Sequence, residues 1–301
     1  MTNIPIALIA QLRKTVPVSL LRAKKALLLN GRDLTKAIAW LEKDSLDMGL
    51  HKSEKVSSRV AAEGLIGLTL DPNRRKGALI EVNCETDFVA RSPNFADLCT
   101  RVGNSHLFYE HMDENAPLIH LDHTTFSDQD KVVSIKEAIV TKIGELGEKI
   151  KLGRVGFLKV SATKGVIGGY MHTYSNSRFS NLGRIGGLVS LNYESANVLS
   201  DQQLTNLATV ADRIAQHITG FNPQSISPLK DSDSSNALMC QAFLANEYTV
   251  EEKLEREKSN NGLDRLWISN FYRMEVGEGI IKQESNFSQE VQAQARLNSA
   301  S

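Results

Sequence analysis

The chain has 301 residues, with 35 Lys+Arg balancing 35 Asp+Glu, so its formal net charge is zero. That balance excludes a protein holding nucleic acid mainly by neutralising phosphates over its whole surface, though it leaves room for a local basic patch. The length accommodates two or three domains, the apolar runs are far too short to cross a bilayer, and 41% hydrophobic residues fits an ordinary soluble protein.

From the N-terminus, three short helices are predicted up to about Lys43. Pro5 suits the first turn of a helix through Leu8, Ile9 and Leu12. Ser19 caps a second with Leu20, Ala23 and Leu27 on one face, ending at Asn30-Gly31, a left-handed stop. Asp33 caps a third through Leu34, Ala37, Ile38 and Leu41. This segment carries neither an apolar signal-peptide core nor an extended Arg/Ser-rich amphipathic stretch. A connecting helix is predicted over 46–62, with Val56 and Val60 on one side. Strands follow over Gly64–Leu70 and Ala78–Cys84 around the turn Asp71-Pro72-Asn73, then a helix containing Phe95, Leu98 and Val102. Val155–Val160 and Val166–Thr173 read as strands opening a second unit, followed by a Ser/Asn-rich hairpin loop over Tyr174–Gly183. Leu204, Leu207, Val210, Ile214 and Ile218 have clean amphipathic helical spacing. Ser225–Asn236 reads as loop, Glu251–Lys258 as a solvated helix, Ile268–Glu275 as a strand and Phe287–Leu297 as a terminal helix.

One stretch occurs twice. Gly77-Ala78-Leu79-Ile80-Glu81-Val82-Asn83-Cys84-Glu85-Thr86 aligns without a gap on Gly186-Gly187-Leu188-Val189-Ser190-Leu191-Asn192-Tyr193-Glu194-Ser195, an offset of 109 residues. A recurring strand pattern reads as scaffold, and implies two related sheet-plus-helix units. The register breaks immediately afterwards, where Asp87 and Phe88 face Ala196 and Asn197. A Phe is ordinarily a core residue. The scaffold requires no apolar group here, however, so an exposed contact at Phe88 stands beside the core reading. The fold class is therefore α+β: an N-terminal three-helix domain over 1–45, a connecting helix over 46–62, and a core of two subdomains, 63–153 and 154–301, each an antiparallel sheet with helices.

Several chemistries find little support. There is no Gly-Lys-Ser/Thr, and Gly183-Arg184-Ile185-Gly186-Gly187 and Gly277-Glu278-Gly279 sit beside strands, as structural turns or close backbone approaches do. No nucleotide site and no cofactor are expected. His106, His111, His120 and His123, with Asp113, Glu114 and Asp122, lack the spacing of a structural zinc site and read as a polar insertion, so no metal is expected. Cys84, Cys99 and Cys240 are odd in number and widely spaced, which suits a reducing compartment without disulfides. Cys84 beside Glu85 could suggest a nucleophile, but Tyr193 holds the repeated position, so an alternating strand residue accounts for it. Arg13, Lys24 and Lys25 fit a solvated surface somewhat more readily than a contact. His217, on an apolar helix face, fits a satisfied interior histidine.

Asn83-Cys84-Glu85-Thr86-Asp87-Phe88-Val89 resembles the signature of the elongation factor Ts family, the nucleotide-exchange factors of elongation factor Tu. The resemblance continues in order through Leu12-Arg13, Lys24-Lys25-Ala26-Leu27, Gly31-Arg32-Asp33, Ala61-Ala62-Glu63-Gly64-Leu65-Ile66, Gly147-Glu148, Arg184-Ile185-Gly186, Gln216-His217-Ile218 and Glu275-Val276-Gly277-Glu278-Gly279-Ile280. Three N-terminal helices of this size make a compact bundle that resembles a ubiquitin-associated domain. The family resemblance implies an exchange factor without covalent chemistry, whose partner is elongation factor Tu, GDP-bound and nucleotide-free, with neither direct nucleic acid nor membrane. In such a protein Phe88 is a wedge, Asp87 the polar contact that fixes it, and Thr86 and Val89 flank the tip. Arg13, Leu20 and Leu21 match an N-terminal contact patch, and His217 a contact to a second domain of the partner.

The chain departs from the family pattern at Val16-Pro17, where Thr-Gly is usual, and at Leu20-Leu21, often Met-Met. Only Ser225–Asn236 fills the interval where many bacterial members carry a coiled coil, so that insertion is absent. This shortness, with the polar insertion near 106–126, looks more like mitochondrial members and implies the mitochondrial matrix, with the bacterial cytoplasm as alternative. Two other classes remain open: an RNA- or ribosome-associated adaptor without exchange activity, using Lys24-Lys25, and a metal-dependent hydrolase built on His106–His123.

Overall fold

The computed structural model describes residues 4–16, 18–103, 125–128, 131–161, 164–173, 179–228 and 231–281. The histidine-rich segment holding His106, His111, His120 and His123 and the expected helix over 287–297 lie outside them, as does Pro17.

The first three helices are α1 (Ile6–Thr15), α2 (Leu20–Leu29) and α3 (Leu34–Val56). Their starts follow local chemistry: Ser19 accepts a hydrogen bond from the Arg22 amide and Asp33 from the Lys36 amide, satisfying first-turn donors that would otherwise be orphaned. Gly31, at φ 63°, takes the left-handed conformation just beyond α2. Leu12, Ala23, Leu27, Ala37 and Leu41 close a small core between the three helices. The predicted third helix and connecting helix prove to be one element. The buried stripe Ala37, Leu41, Ser45, Gly49, Val56 runs unbroken along α3, so no boundary falls near Lys43.

The core holds two antiparallel sheets. Strands β1 (Glu63–Leu70), β2 (Lys76–Cys84), β5 (Ile150–Lys159) and β7 (Leu182–Gly183) form the first, in the order β5-β2-β1-β7. Strands β6 (Gly165–His172), β8 (Ile185–Glu194) and β9 (Arg265–Glu275) form the second, in the order β6-β8-β9. A separate hairpin pairs β3 (Thr125–Asp128) with β4 (Lys131–Ser134). Among the described residues the other α-helices are α4 (Asp87–Ala90), α5 (Pro93–Gly103), α6 (Ile135–Leu146), α7 (Asp201–Phe221) and α8 (Val250–Asn260). Alternate β2 residues Ala78, Ile80, Val82 and Cys84 pack with Phe95 and Leu98 of α5 and Ile139 and Ile143 of α6. The corresponding β8 residues Val189, Leu191 and Tyr193 pack with Leu207, Ile214 and Ile218 of α7. A third cluster containing Ile66, Leu79, Ile167, Leu188 and Met274 lies between the sheets. The layers are thus helix, sheet, sheet, helix.

The identical residues of the repeat have identifiable work. A Cβ on Gly77 would lie 2.9 Å from Leu188 Cδ1, and one on Gly186 would lie 3.0 Å from Leu79 Cδ2. Each copy's leucine therefore seats over the other copy's glycine, and β2 and β8 pass in opposite senses. Asn83 pairs with Gly64 across β1, as Asn192 pairs with Gly165 across β6. A register shift falls around Glu81, between Ile80 and Val82, in the β2–β5 ladder, and directly after the equivalent residue Ser190 in the β8–β9 ladder. Both are buried, and both are satisfied by hydrogen bonds.

One strand assignment changes. The strand expected over Val155–Val160 to open the second unit is the latter part of β5, which runs from Ile150 to Lys159 and pairs with β2 from Lys76 to Cys84. The duplicated unit is β1-β2-β5 against β6-β8-β9, so β5 corresponds to β9 and closes the first sheet. The gap in the predicted strands at 150–154 reflects the bulge, where Gly153 and Arg154 interrupt the apolar alternation.

Candidate functional site

At the end of β2 the chain leaves the sheet through Glu85 and Thr86 and turns into α4. Thr86 is extended (φ −120°, ψ 153°), and the Val89 amide donates to its Oγ1 at 3.3 Å, capping the short helix. Asp87 pairs with Arg91 one turn on, at 3.2 Å. Ala90 is buried and Val89 packs against the first core cluster, so two residues of α4 face inward. Phe88 faces outward, 83% exposed. An aromatic side chain left in water forgoes about 1.5–3 kcal/mol of burial energy.

This tip is pinned from across the chain. Gly147, at φ 78°, ends α6, and Glu148 then accepts two hydrogen bonds from Thr86: Oγ1 donates to Oε1 at 2.6 Å and the amide to Oε2 at 3.1 Å. Glu85 reciprocates by accepting from the Lys149 amide at 2.6 Å. Lys149 Nζ donates to the Ser57 and Arg59 carbonyls at 2.5 and 2.8 Å, and Arg59 lies 3.4 Å from the Glu85 carboxylate. The end of α3 and the base of the tip therefore share one polar node. Farther along, α3 docks closely on α6: a Cβ on Gly144 would sit 3.1 Å from Gly49 Cα, and Lys52 Nζ donates to the Gly144 carbonyl at 2.5 Å. Glu148, Lys149 and Arg59 gave no signal as tip supports in the sequence. Their partners lie 62, 64 and 26 residues away, beyond any local pattern.

Cys84 sits at the base of the tip, buried, with its thiol 3.2 Å from the Thr86 carbonyl. Burial, with the Glu148 and Glu63 carboxylates adding to it, pushes the thiol up to about 12. A thiol that holds its proton at neutral pH is a poor nucleophile. Cys99 is also buried, and burial holds its thiol well above the ordinary value. Among the described residues no cluster of histidine, cysteine and carboxylate groups is arranged to hold a metal ion. The glycine-rich segments serve packing and turns. Gly183 and Gly187 touch neighbouring backbone where a Cβ would collide, and Gly277, at φ 75°, donates its amide to Glu81 at 2.7 Å.

The other expected site residues fall in different surroundings. Leu20 and Leu21 are 57% and 78% exposed on the first turn of α2. Arg13 is exposed too, but its Nε donates to the Val18 carbonyl at 3.0 Å and so braces the α1–α2 connection. Lys25 lies over the Trp40 ring at 5.5 Å.

His217 is not a surface group. It is 0% exposed on the inner face of α7, stacked on Phe221 with ring centroids 4.4 Å apart. The Leu244 amide donates to its Nδ1 at 3.1 Å, so Nε2 carries the proton and donates to Gln241 Oε1 at 3.0 Å. Burial lowers its pKa, while the Gln241 bond opposes that. The expected direct contact gives way to an interior role. His217 anchors a turn in which Leu244 and Ala245 both adopt positive φ, 49° and 61°.

The family model described as "Elongation factor TS" matches residues 85–234, from the base of the tip past the end of α7. Over 333 residues the chain is 30% identical to elongation factor Ts of Parvibaculum lavamentivorans, covering 98% of this chain and 100% of that one. It is 32% identical over 328 residues to elongation factor Ts of Allorhizobium ampelinum, with 98% and 100% covered. The mitochondrial elongation factor Ts of Nematostella vectensis is 31% identical over 305 residues, with 90% and 98% covered. Bacterial and mitochondrial relatives thus both span nearly the whole chain.

Proposed function

Because the chain belongs to the elongation factor Ts family, a family of translation elongation factors, we propose that it is the guanine-nucleotide exchange factor for elongation factor Tu, with Phe88 as its wedge. The observation that carries this reading is Phe88 itself, 83% exposed on a helix that is capped, ion-paired and pinned to another segment. An anchor held ready in this way loses little conformational entropy on docking. Entering an apolar pocket of the partner's GTPase domain, the ring displaces the segment that supports the magnesium ion beside GDP. Asp87 fixes the wedge by a polar contact, and Thr86 and Val89 shape the tip. Arg13, Leu20 and Leu21 supply a second contact from the helical bundle. His217 acts from the interior by shaping the turn at Leu244.

No covalent step is required. A protein that binds nucleotide-free elongation factor Tu more tightly than the GDP form must weaken GDP by the same factor. The partner in this reading is a protein in both nucleotide states, and neither nucleic acid nor membrane takes part. Among the described residues no helix is long and apolar enough to cross a membrane. The short stretch between α7 and α8 favours the mitochondrial matrix over a bacterial cytoplasm; a tagged chain absent from purified mitochondria would reverse that placement.

The test is stopped-flow release of labelled GDP from elongation factor Tu. Truncating an aromatic interface anchor costs ~2–4 kcal/mol. At ~1.4 kcal/mol per decade, Phe88→Ala is expected to slow release by about ten- to a thousandfold. An unchanged rate removes Phe88 from the mechanism.

A further inference from the structure

We propose that Glu148 is the positioning residue of the exchange reaction, acting through Thr86 to hold the Phe88 wedge in its docking geometry. The proposal rests on the wedge reading above and deepens it. Thr86 joins the strand to the tip, beside the inward packing of Val89 and Ala90. Its extended backbone ends the strand, and its hydroxyl caps the four-residue helix that carries Phe88. So short a helix cannot hold itself in water, because nucleation is unfavourable. The Thr86 amide and the hydroxyl proton are both donated to the single carboxylate of Glu148. The two-point contact fixes rotation as well as distance, and its charge strengthens both bonds. With its proton committed to Glu148, the hydroxyl presents a lone pair to the Val89 amide. Glu148 thereby selects the capping state of Thr86.

The reciprocal bond from the Lys149 amide to Glu85 prevents the two segments from sliding past each other. In the second repeat Ser195 replaces Thr86. Its hydroxyl accepts from the Asn197 amide at 3.2 Å, two residues on, and no helix forms there before α7. The same strand end without the same clamp thus makes an ordinary turn.

The experiment uses full-length protein and elongation factor Tu loaded with labelled GDP, with release followed against factor concentration. Losing a charged two-point hydrogen bond to the tip is expected to lower the saturating release rate of Glu148→Ala by about tenfold. The half-saturating concentration moves less, because the other contacts still dock. Glu148→Gln keeps one acceptor for the Thr86 amide and falls between wild type and Glu148→Ala. In a Phe88→Ala background, adding Glu148→Ala changes the rate by less than about twofold, because the group it positions is gone. A merely structural role would give the same loss in both backgrounds.

Thermal melts of each variant check folding, and Glu148→Gln carries the test if Glu148→Ala does not fold. A saturating rate for Glu148→Ala near wild type, or an undiminished loss beside Phe88→Ala, overturns the proposal. If Phe88→Ala releases GDP at the wild-type rate, the wedge reading falls as well. If Phe88→Ala is slow and Glu148→Ala fast, only this inference falls.

Discussion

The two copies of the repeated strand share everything that holds a sheet sandwich together and differ in the residues just beyond it. β2 and β8 each bring a glycine for the opposing leucine, a leucine for the opposing glycine, a bulge with a satisfied polar residue, and an asparagine opposite a glycine. Beyond Glu85 the first copy builds a clamped helical tip with an outward Phe88. Beyond Glu194 the second makes a turn of Ser195, Ala196 and Asn197, leaves Val198 99% exposed, and passes to the Ser200 capping box of α7. Duplication with selective retention separates framework from function. Where both copies agree, the constraint is packing between them; where they part, one copy is free to meet another molecule.

The largest effects should come from the shared part, and should be equal. Leu79 and Leu188 are both fully buried between the sheets. Truncating a buried leucine to alanine costs about 2–5 kcal/mol, so Leu79→Ala and Leu188→Ala should each lower the urea midpoint by similar amounts. The double variant should depart from simple additivity, because the two sites share neighbours. A markedly unequal pair would break the symmetry argued from Gly77 and Gly186.

Exchanging the divergent residues gives the next largest effect, on activity alone. Phe88→Asn makes the first tip carry the second's residue, and should cost about as much as truncating an aromatic anchor, ~2–4 kcal/mol in GDP release. Asn197→Phe, which gives the second turn an aromatic, should neither raise exchange nor rescue Phe88→Asn, since that turn lacks the clamped helix. Rescue would show that an exposed ring at either strand end suffices, and that the clamp is incidental.

How far these features could be read beforehand depends on their range along the chain. The caps at Ser19 and Asp33 and the stop at Gly31 act within a few residues, and local pattern predicts them. The repeat is itself a sequence signal, and it leads to paired sheets. The partner of β5 is different. The bulge at Gly153 and Arg154 breaks the alternation, and pairing with β2 is settled by a neighbour some seventy residues away. The two-residue strand β7 has too few residues to show a period. At the site, Phe88 stood out because one copy has it and the other does not. Glu148 belongs to the Gly147-Glu148 match, but its role is not legible there, since a carboxylate after a helix looks like any solvated charge until Thr86 is placed beside it. For His217 the helical spacing favoured an interior histidine, the family resemblance a contact, and the packing of Phe221 and Leu244 around it supports the interior role.

The smallest predicted difference between the halves is their response to acid. At the equivalent bulge positions the first half buries Glu81, which can titrate, and the second buries Ser190, which cannot. Burial alone would raise the Glu81 pKa. Hydrogen bonds from the Gly277 amide, Arg154 and Asn83 outweigh it and hold the carboxyl below its ordinary 4.5. In the second half, burial holds His217 below its ordinary 6.5. For both groups the unfolded chain binds the proton more readily than the folded one, so stability falls with falling pH across each interval. The His217 contribution is full above the unfolded histidine value and declines as pH drops from about 6.5 through the lowered folded value. The Glu81 contribution declines in a separate, more acidic interval, beginning near the ordinary carboxyl value. Thermal melts across this range should therefore show two intervals of loss. His217→Gln should lessen the upper loss and leave the lower one. Glu81→Gln should lessen the lower loss, to which Glu137, held below its ordinary value by Ser134, also contributes. It should do so at some cost at neutral pH, because Arg154 then loses a charged partner. If Glu81→Gln erased both losses, the two halves would be coupled through the sandwich as one titrating unit, and the equivalence of their bulges would be geometric only.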